Sequence, residues 1–207
     1  MKFIGITGGV GAGKSEILKY LSERPDTKIL LADEIARDMC EPGTACNKAL
    51  QELFAADKVF DAAGNMNRIA VAEVIFTDPA KKVAMNQLVH PAVRQYILET
   101  LQRERKAGKL KFLVLEAALL IEEHYDEICD ELWYIYTSKD NRKRRLIASR
   151  GYSEEKVEQI FVNQLTEEEY RMHCVREIDN NGTTEETIAQ VLQIINNEGD
   201  DTNGEYE

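Results

Sequence analysis

Long apolar runs are missing from this sequence, and none approaches the ~18 residues a membrane-spanning helix requires. A strand-like run starts at Lys2 with no charged-then-apolar stretch before it, so a signal peptide is not expected. Paired cysteines are missing. Cys40, Cys46, Cys129 and Cys174 contain no C-x-x-C spacing, which argues against a zinc ribbon or a dithiol redox centre. They read as reduced thiols acting as small buried hydrophobes. His90, His124 and His173 share no ligand spacing, so a histidine metal centre is not indicated. Positive charge is scarce: 26 Lys and Arg stand against 37 Asp and Glu, a net charge of −11. That balance disfavours the broad positive field that nucleic acids and membrane surfaces select. The expectation is a cytoplasmic protein, monomeric or weakly homo-oligomeric, with no nucleic-acid or membrane partner.

What is present is an alternation of short apolar runs and longer helical stretches. The 207 residues, 43% hydrophobic and 30% charged, suffice for one core with small mobile additions. Phe3–Thr7, Lys28–Leu31, Lys111–Leu115 and Leu132–Tyr136 read as strands, and Val175–Asp179 as a weaker fifth. Their lack of polar alternation suits strands covered on both faces, as in a parallel sheet. Helices are expected over Lys14–Glu23, Asp33–Cys40, Pro79–Lys106, Ser153–Asn163 and Thr166–Cys174, with Pro91 breaking or kinking the third. Thr166–Glu169 and Thr183–Glu186 have capping-box form. Ile188, Val191, Leu192 and Ile195 make a core-facing stripe on a last helix. Strands separated by helices indicate a doubly wound α/β fold. The polar, acidic stretch from Gly199 to Glu207 is expected to fray.

The most informative segment runs from Gly8 to Ser15. Gly8-Gly9-Val10-Gly11-Ala12-Gly13-Lys14-Ser15 satisfies G-x-x-x-x-G-K-[ST] between an expected strand and an expected helix. Glycines let backbone N–H groups turn inward and approach phosphate oxygens closely. The helix that follows aims its positive dipole end at the same oxygens. Lys14 supplies an ammonium for the β and γ phosphates, and Ser15 a hydroxyl for Mg²⁺. Gly9, Gly11, Ala12, Gly13, Lys14, Ser15 and Glu16 are therefore the expected ATP-binding residues. The loop alone does not separate kinases from ATPases or GTP switches. Asn141-Arg142-Lys143-Arg144 does not supply the N-K-x-D motif that GTP switches usually carry.

Beyond the carboxyl ends of parallel strands is where such sheets bind ligands. Asp33 lies there and is a candidate base for an acceptor hydroxyl, although Asp before Glu34-Ile35-Ala36 equally suits a helix cap. Glu116 ends the third strand, where an acid can hold Mg²⁺ through water, and Glu122 follows it. Arg142, Lys143, Arg144, Arg145 and Arg150 crowd one short segment. Such a run is usually a solvated helix face. Here a hinged lid competes, in which at least one arginine neutralises charge on a transferring phosphoryl group.

Taken in order, these segments resemble the dephospho-coenzyme A kinase family from about residue 3 to about residue 195. The resemblance rests on Ile4–Ser15, Ala32-Asp33-Glu34-Ile35-Ala36-Arg37, Glu41-Pro42-Gly43, Asn86–Pro91 with Arg94, Leu119-Leu120-Ile121-Glu122 and Ile178-Asp179-Asn180-Asn181-Gly182. It implies a three-layer α/β/α P-loop NTPase fold with a parallel five-stranded sheet, a helical substrate region and a small lid. The core is expected at about 1–40, 107–140 and 175–198, the substrate region at about 41–106 and the lid at about 141–174. The implied activity is ATP- and Mg²⁺-dependent phosphorylation of the 3′-hydroxyl of dephospho-CoA. Lys14, Asp33, Arg144 and Arg145 are then the implied catalytic residues. Asp33, Arg37, His90, Arg94 and Glu116 are the implied substrate contacts. Another small-molecule or nucleoside-monophosphate kinase is the alternative, and a regulatory ATPase a more distant one. The chain departs from the family pattern at Leu31, where a second Asp is usual, at Ala118, where a proline is usual, and at Ser149, where a lid arginine is usual.

Overall fold

The computed structural model describes residues 1–200. Five strands form one sheet: β1 (Lys2–Thr7), β2 (Thr27–Leu31), β3 (Phe112–Glu116), β4 (Glu131–Tyr136) and β5 (Arg176–Asp179), in the order β2-β3-β1-β4-β5. Pairing is parallel, with Ile4 opposite Val114 on one side and Glu131 on the other, and Tyr134 opposite Glu177. The parallel five-stranded sheet expected from the apolar runs is present.

Nine helices are described: α1 (Lys14–Ser22), α2 (Ala32–Met39), α3 (Ala45–Leu53), α4 (Arg68–Thr77), α5 (Pro79–Ala107), α6 (Lys139–Arg150), α7 (Glu154–Val162), α8 (Glu167–His173) and α9 (Thr184–Asp200). The beginning of the tail expected to fray, as far as Asp200, belongs to α9. Its remainder, 201–207, lies outside the described residues.

The chain divides into two compact units, one of Met1–Ile29 with the chain from Lys109 onward, the other of Leu30–Gly108. The first holds the sheet core. Because successive strand residues face opposite ways, Ile4, Ile6, Phe112, Val114, Trp133, Ile135 and Ile178 share one face. There they meet Ile17 and Leu21 of α1 and Val191 and Ile195 of α9. Each such side chain taken from water contributes on the order of 1.5–3 kcal/mol. On the opposite face Tyr134 stacks on Tyr170 of α8, ring centroids 4.8 Å apart. Both faces of β1, β3 and β4 are thus buried, as their uninterrupted apolar runs require.

In the second unit α5 packs against α2, α3 and α4. It runs through Pro91 without interruption, so of the break or kink expected there the break does not occur. Pro91 removes one N–H from the helical ladder. Buried Val89, Val93, Ile97 and Leu101, spaced by one turn, hold the helix on both sides of it. Asp78 caps its first turn, and Gly108 ends it in the left-handed conformation.

Candidate active site

The strand β1 ends at Thr7 and α1 begins at Lys14, so the glycine-rich segment spans the carboxyl edge of the sheet. Side-chain oxygens of Thr44, Asn67, Asp78, Ser138, Ser153 and Thr166 cap α3 through α8. Nothing of the kind caps α1, whose N-cap is Gly13. The Glu16 N–H turns back to the Gly13 carbonyl at 3.3 Å, and with no side-chain oxygen at the helix start an anion there suits the helix dipole. Gly13 has φ +88°, and a Cβ there would also overlap the Asn180 amide. A side chain at this position would be strained twice over. These residues fit a nucleotide's phosphates.

The loop is braced from behind by residues far along the chain. The carbonyl of Ala12 accepts from Thr137 Oγ1 at 2.9 Å, from Asn180 Nδ2 at 2.7 Å and from Arg145 at 3.4 Å. Asn180 is 8% exposed and its Oδ1 accepts from Thr187 at 2.8 Å. Arg145 also donates to the Asn180 carbonyl at 2.8 Å. Arg142 donates through Nε to the carbonyl of Val10 at 2.9 Å. Arg144 turns instead to Asn141 on its own helix and is exposed. Of the two expected lid arginines, then, the structure brings Arg145 to the loop and leaves Arg144 on the outer side of α6.

Lys14 Nζ donates to the Gly8 carbonyl at 2.7 Å and lies 3.4 Å from a Glu116 carboxylate oxygen. Glu116 thereby joins the loop at the end of β3, as its position predicts. Both side chains are more than four-fifths buried, at 16% and 19% exposure. The ammonium is held next to the loop by groups that phosphate oxygens can replace.

A separate cavity of ≈ 290 Å³ lies within the Leu30–Gly108 unit. Asp33, Arg37 and Arg68 supply its charged lining, and Cys40, Val71, Ile75, Met85 and Val89 much of its apolar wall. Asp33 does not cap α2. The N-cap position is Leu31, so Asp33 sits inside the first turn, and it lines the cavity. Of the two roles that the sequence allowed it, capping is removed. Arg37 lies one turn along the same helix, which puts both on one face. His90 and Arg94, one turn apart on α5, are not among the residues lining this cavity.

Sequence reasoning named Arg142 only as one of a basic cluster, and missed Arg68, Thr137 and the bracing role of Asn180. A signal existed for Arg142, since Arg142, Arg145 and Leu146 stand at i, i+3 and i+4 and must share one face of α6. Thr137 and Asn180 act through contacts between distant segments, and no local spacing announces those.

Residues 2–186 match the family model described as dephospho-CoA kinase. The dephospho-CoA kinase of Symbiobacterium thermophilum is 34% identical over 92% of this chain and 79% of its own length. That of Geobacter sulfurreducens is 32% identical over 94% and 97%. Among solved structures, TT1252 from Thermus thermophilus superposes with a TM-score of 0.74 at 28% identity, covering 95% of this chain and 97% of that one. The dephospho-CoA kinase from Campylobacter jejuni, at 20% identity and a TM-score of 0.70 over 93% and 96%, shares the fold.

Proposed function

The chain belongs to the dephospho-CoA kinase family, and on that footing we propose that it transfers the γ-phosphoryl group of ATP to the ribose 3′-hydroxyl of dephospho-CoA. The products are coenzyme A and ADP, and the step completes coenzyme A synthesis. The observation that carries the acceptor side is the position of Asp33, which is not used as a cap and lines a cavity with two guanidinium groups.

Each residue then has a task. The amides from Gly9 to Ser15 and the uncapped start of α1 hold the β and γ phosphates. Lys14 exchanges the Gly8 carbonyl and Glu116 for phosphate oxygens and offsets charge building up on the transferring group. Arg145 adds positive potential behind Ala12. In the Leu30–Gly108 unit Arg37 and Arg68 attract the acceptor's phosphates, while Val71, Ile75 and Val89 contact its apolar parts. Asp33 accepts the hydroxyl proton as the oxygen attacks phosphorus and the bond to the leaving ADP oxygen breaks. His90 and Arg94 are assigned as outer contacts to the acceptor, and α6 through α8 as the lid.

Among the described residues no cluster of three His, Cys, Asp or Glu could hold a metal ion. That fits Mg²⁺, which is usually bound through one or two protein ligands and the nucleotide's own phosphates. Ser15 would be the protein ligand to the ion, and Glu116 would reach it through water. The bound ion supplies Lewis-acid neutralisation of the phosphate oxygens.

The test is ADP release with dephospho-CoA, adenosine monophosphate or cytidine monophosphate as acceptor. Turnover with dephospho-CoA well above both monophosphates is expected. The reverse order would assign the chain to a nucleoside-monophosphate kinase. Equal slow hydrolysis whether or not an acceptor is present would indicate a regulatory ATPase.

A further inference from the structure

Arg142 occupies a position that the phosphate-transfer roles above do not use. Its guanidinium lies against the loop, where a Cβ on Gly9 would overlap it. Its Nε donates to the Val10 carbonyl at 2.9 Å. Its far nitrogen donates to the side-chain oxygen of Gln164, just past the end of α7. Its flat face covers the ring of Phe161 on α7, 4.5 Å from the centroid. One rigid fork therefore spans the phosphate loop at one end and the expected lid at the other. Leu146, one turn further along α6 and 1% exposed, fills the space in front of Gly11.

The charge balance of this contact is unusual. Its hydrogen-bond acceptors are a carbonyl and an amide, both neutral. The Glu167 carboxylate also acts on the guanidinium through space, so the neutral acceptors leave part of its field unopposed. That field falls on the Gly9–Val10 turn, where phosphates bind. Lysine could supply a point charge here, but a single ammonium cannot reach Val10 and Gln164 together with the planar geometry of arginine.

We infer that Arg142 is a positioning residue that ties the Gly9–Val10 turn to α7, so that the phosphate loop and the lid move as one body. The inference rests on the kinase reading of the loop. It predicts two separable effects: the charge strengthens nucleotide binding, and the two-ended brace keeps the lid closed against water during transfer.

The experiment compares R142Q, R142K and Q164L in the full chain. Three quantities are read: the dissociation constant of a fluorescent ATP analogue without acceptor, the ratio of acceptor-free hydrolysis to transfer, and Tm. For R142Q the analogue should bind about tenfold more weakly, the scale of a lost charged hydrogen bond, and the hydrolysis share should rise. R142K should keep most of the affinity and still show the raised hydrolysis share. Q164L should raise that share with affinity unchanged. Full recovery of both quantities in R142K would refute the brace, since a point charge would then suffice. A fall in Tm with affinity and partition at wild-type values would refute it too, leaving packing alone. Should R142Q fail to fold, Q164L decides, and a wild-type partition there overturns the inference. Wild-type protein that binds the analogue but transfers nothing to dephospho-CoA sinks the kinase reading instead, and the affinity comparison then judges Arg142.

Discussion

Asn180→Ala removes two hydrogen bonds from behind the phosphate loop, the 2.7 Å bond to the Ala12 carbonyl and the 2.8 Å bond from Thr187. The partners left behind are not orphaned. Ala12 still accepts from Thr137 at 2.9 Å, and the Thr187 hydroxyl still reaches the Thr183 carbonyl at 3.1 Å. With no buried group abandoned, the cost is two net hydrogen bonds, about 1–2 kcal/mol in total. For a chain of this length that is a Tm loss of about 2–8 °C. Asn180→Asp is a sharper perturbation of the same shape. It turns a carboxylate toward the Ala12 carbonyl and places a negative charge behind the loop. A pair of like unit charges about 8 Å apart at an effective dielectric of about 20 repels by about 2 kcal/mol, which sets the scale on which that charge opposes phosphate binding. ATP affinity should therefore fall about thirtyfold in N180D and only a few-fold in N180A, with the larger Tm loss also in N180D. Scanning calorimetry and titration with a non-hydrolysable ATP analogue measure both. N180D with wild-type Tm and wild-type affinity would refute the claim that this side chain supports the loop.

Lys14→Ala should retain less than about a tenth of wild-type kcat, because on the proposed mechanism its ammonium offsets charge on the γ phosphate; steady-state ADP release checks it. Asp33→Asn should lower kcat by about 10²–10⁴ while the ATP dissociation constant stays put. It should shift Tm by no more than about 3 °C, since Asp33 caps nothing. Burial pushes the Cys40 thiol up to about 11, with neighbouring Cys46 adding to the effect. A raised pKa means less thiolate, so about one part in a thousand is reactive at pH 8 and labelling should accelerate about tenfold per pH unit up to about 11. Stopped-flow labelling of a variant that keeps Cys40 and Cys46 but lacks Cys129 and Cys174 tests this, and a rate independent of pH between 7 and 9 would contradict it.

The parts of this protein that could be read from sequence are those whose cause is local. The strands β1, β3 and β4 announced themselves because they are buried on both faces, which forbids polar alternation. The capping box at Thr166–Glu169 forms as written, with both reciprocal hydrogen bonds. The helices α3 and α4 escaped notice for different reasons. Thr44 does cap α3, accepting from Asn47 at 3.0 Å, but the segment between Glu41 and Ala45 reads as a loop. In α4 the run Arg68–Thr77 carries apolar residues on all sides, so no stripe marks a period, and Ile69 and Phe76 are 76% and 87% exposed.

The site divides along the same line. Phosphate-loop glycines are legible because their conformations are set within the loop, yet the packing that crowds two of them comes from elsewhere. Gly9 faces the movable end of Arg142 and Gly13 faces the buried Asn180 amide, so distant side chains as well as the phosphates favour glycine there. A motif of this kind therefore records two constraints at once, and only the ligand-facing one can be deduced from spacing. It follows that substitutions at Gly9 and Gly13 should be partly relieved by trimming the facing residue. An alanine at Gly9 should recover more function beside R142A than alone, whereas an alanine at Gly13 should recover little beside N180A, because its φ of +88° remains unfavourable for any side chain.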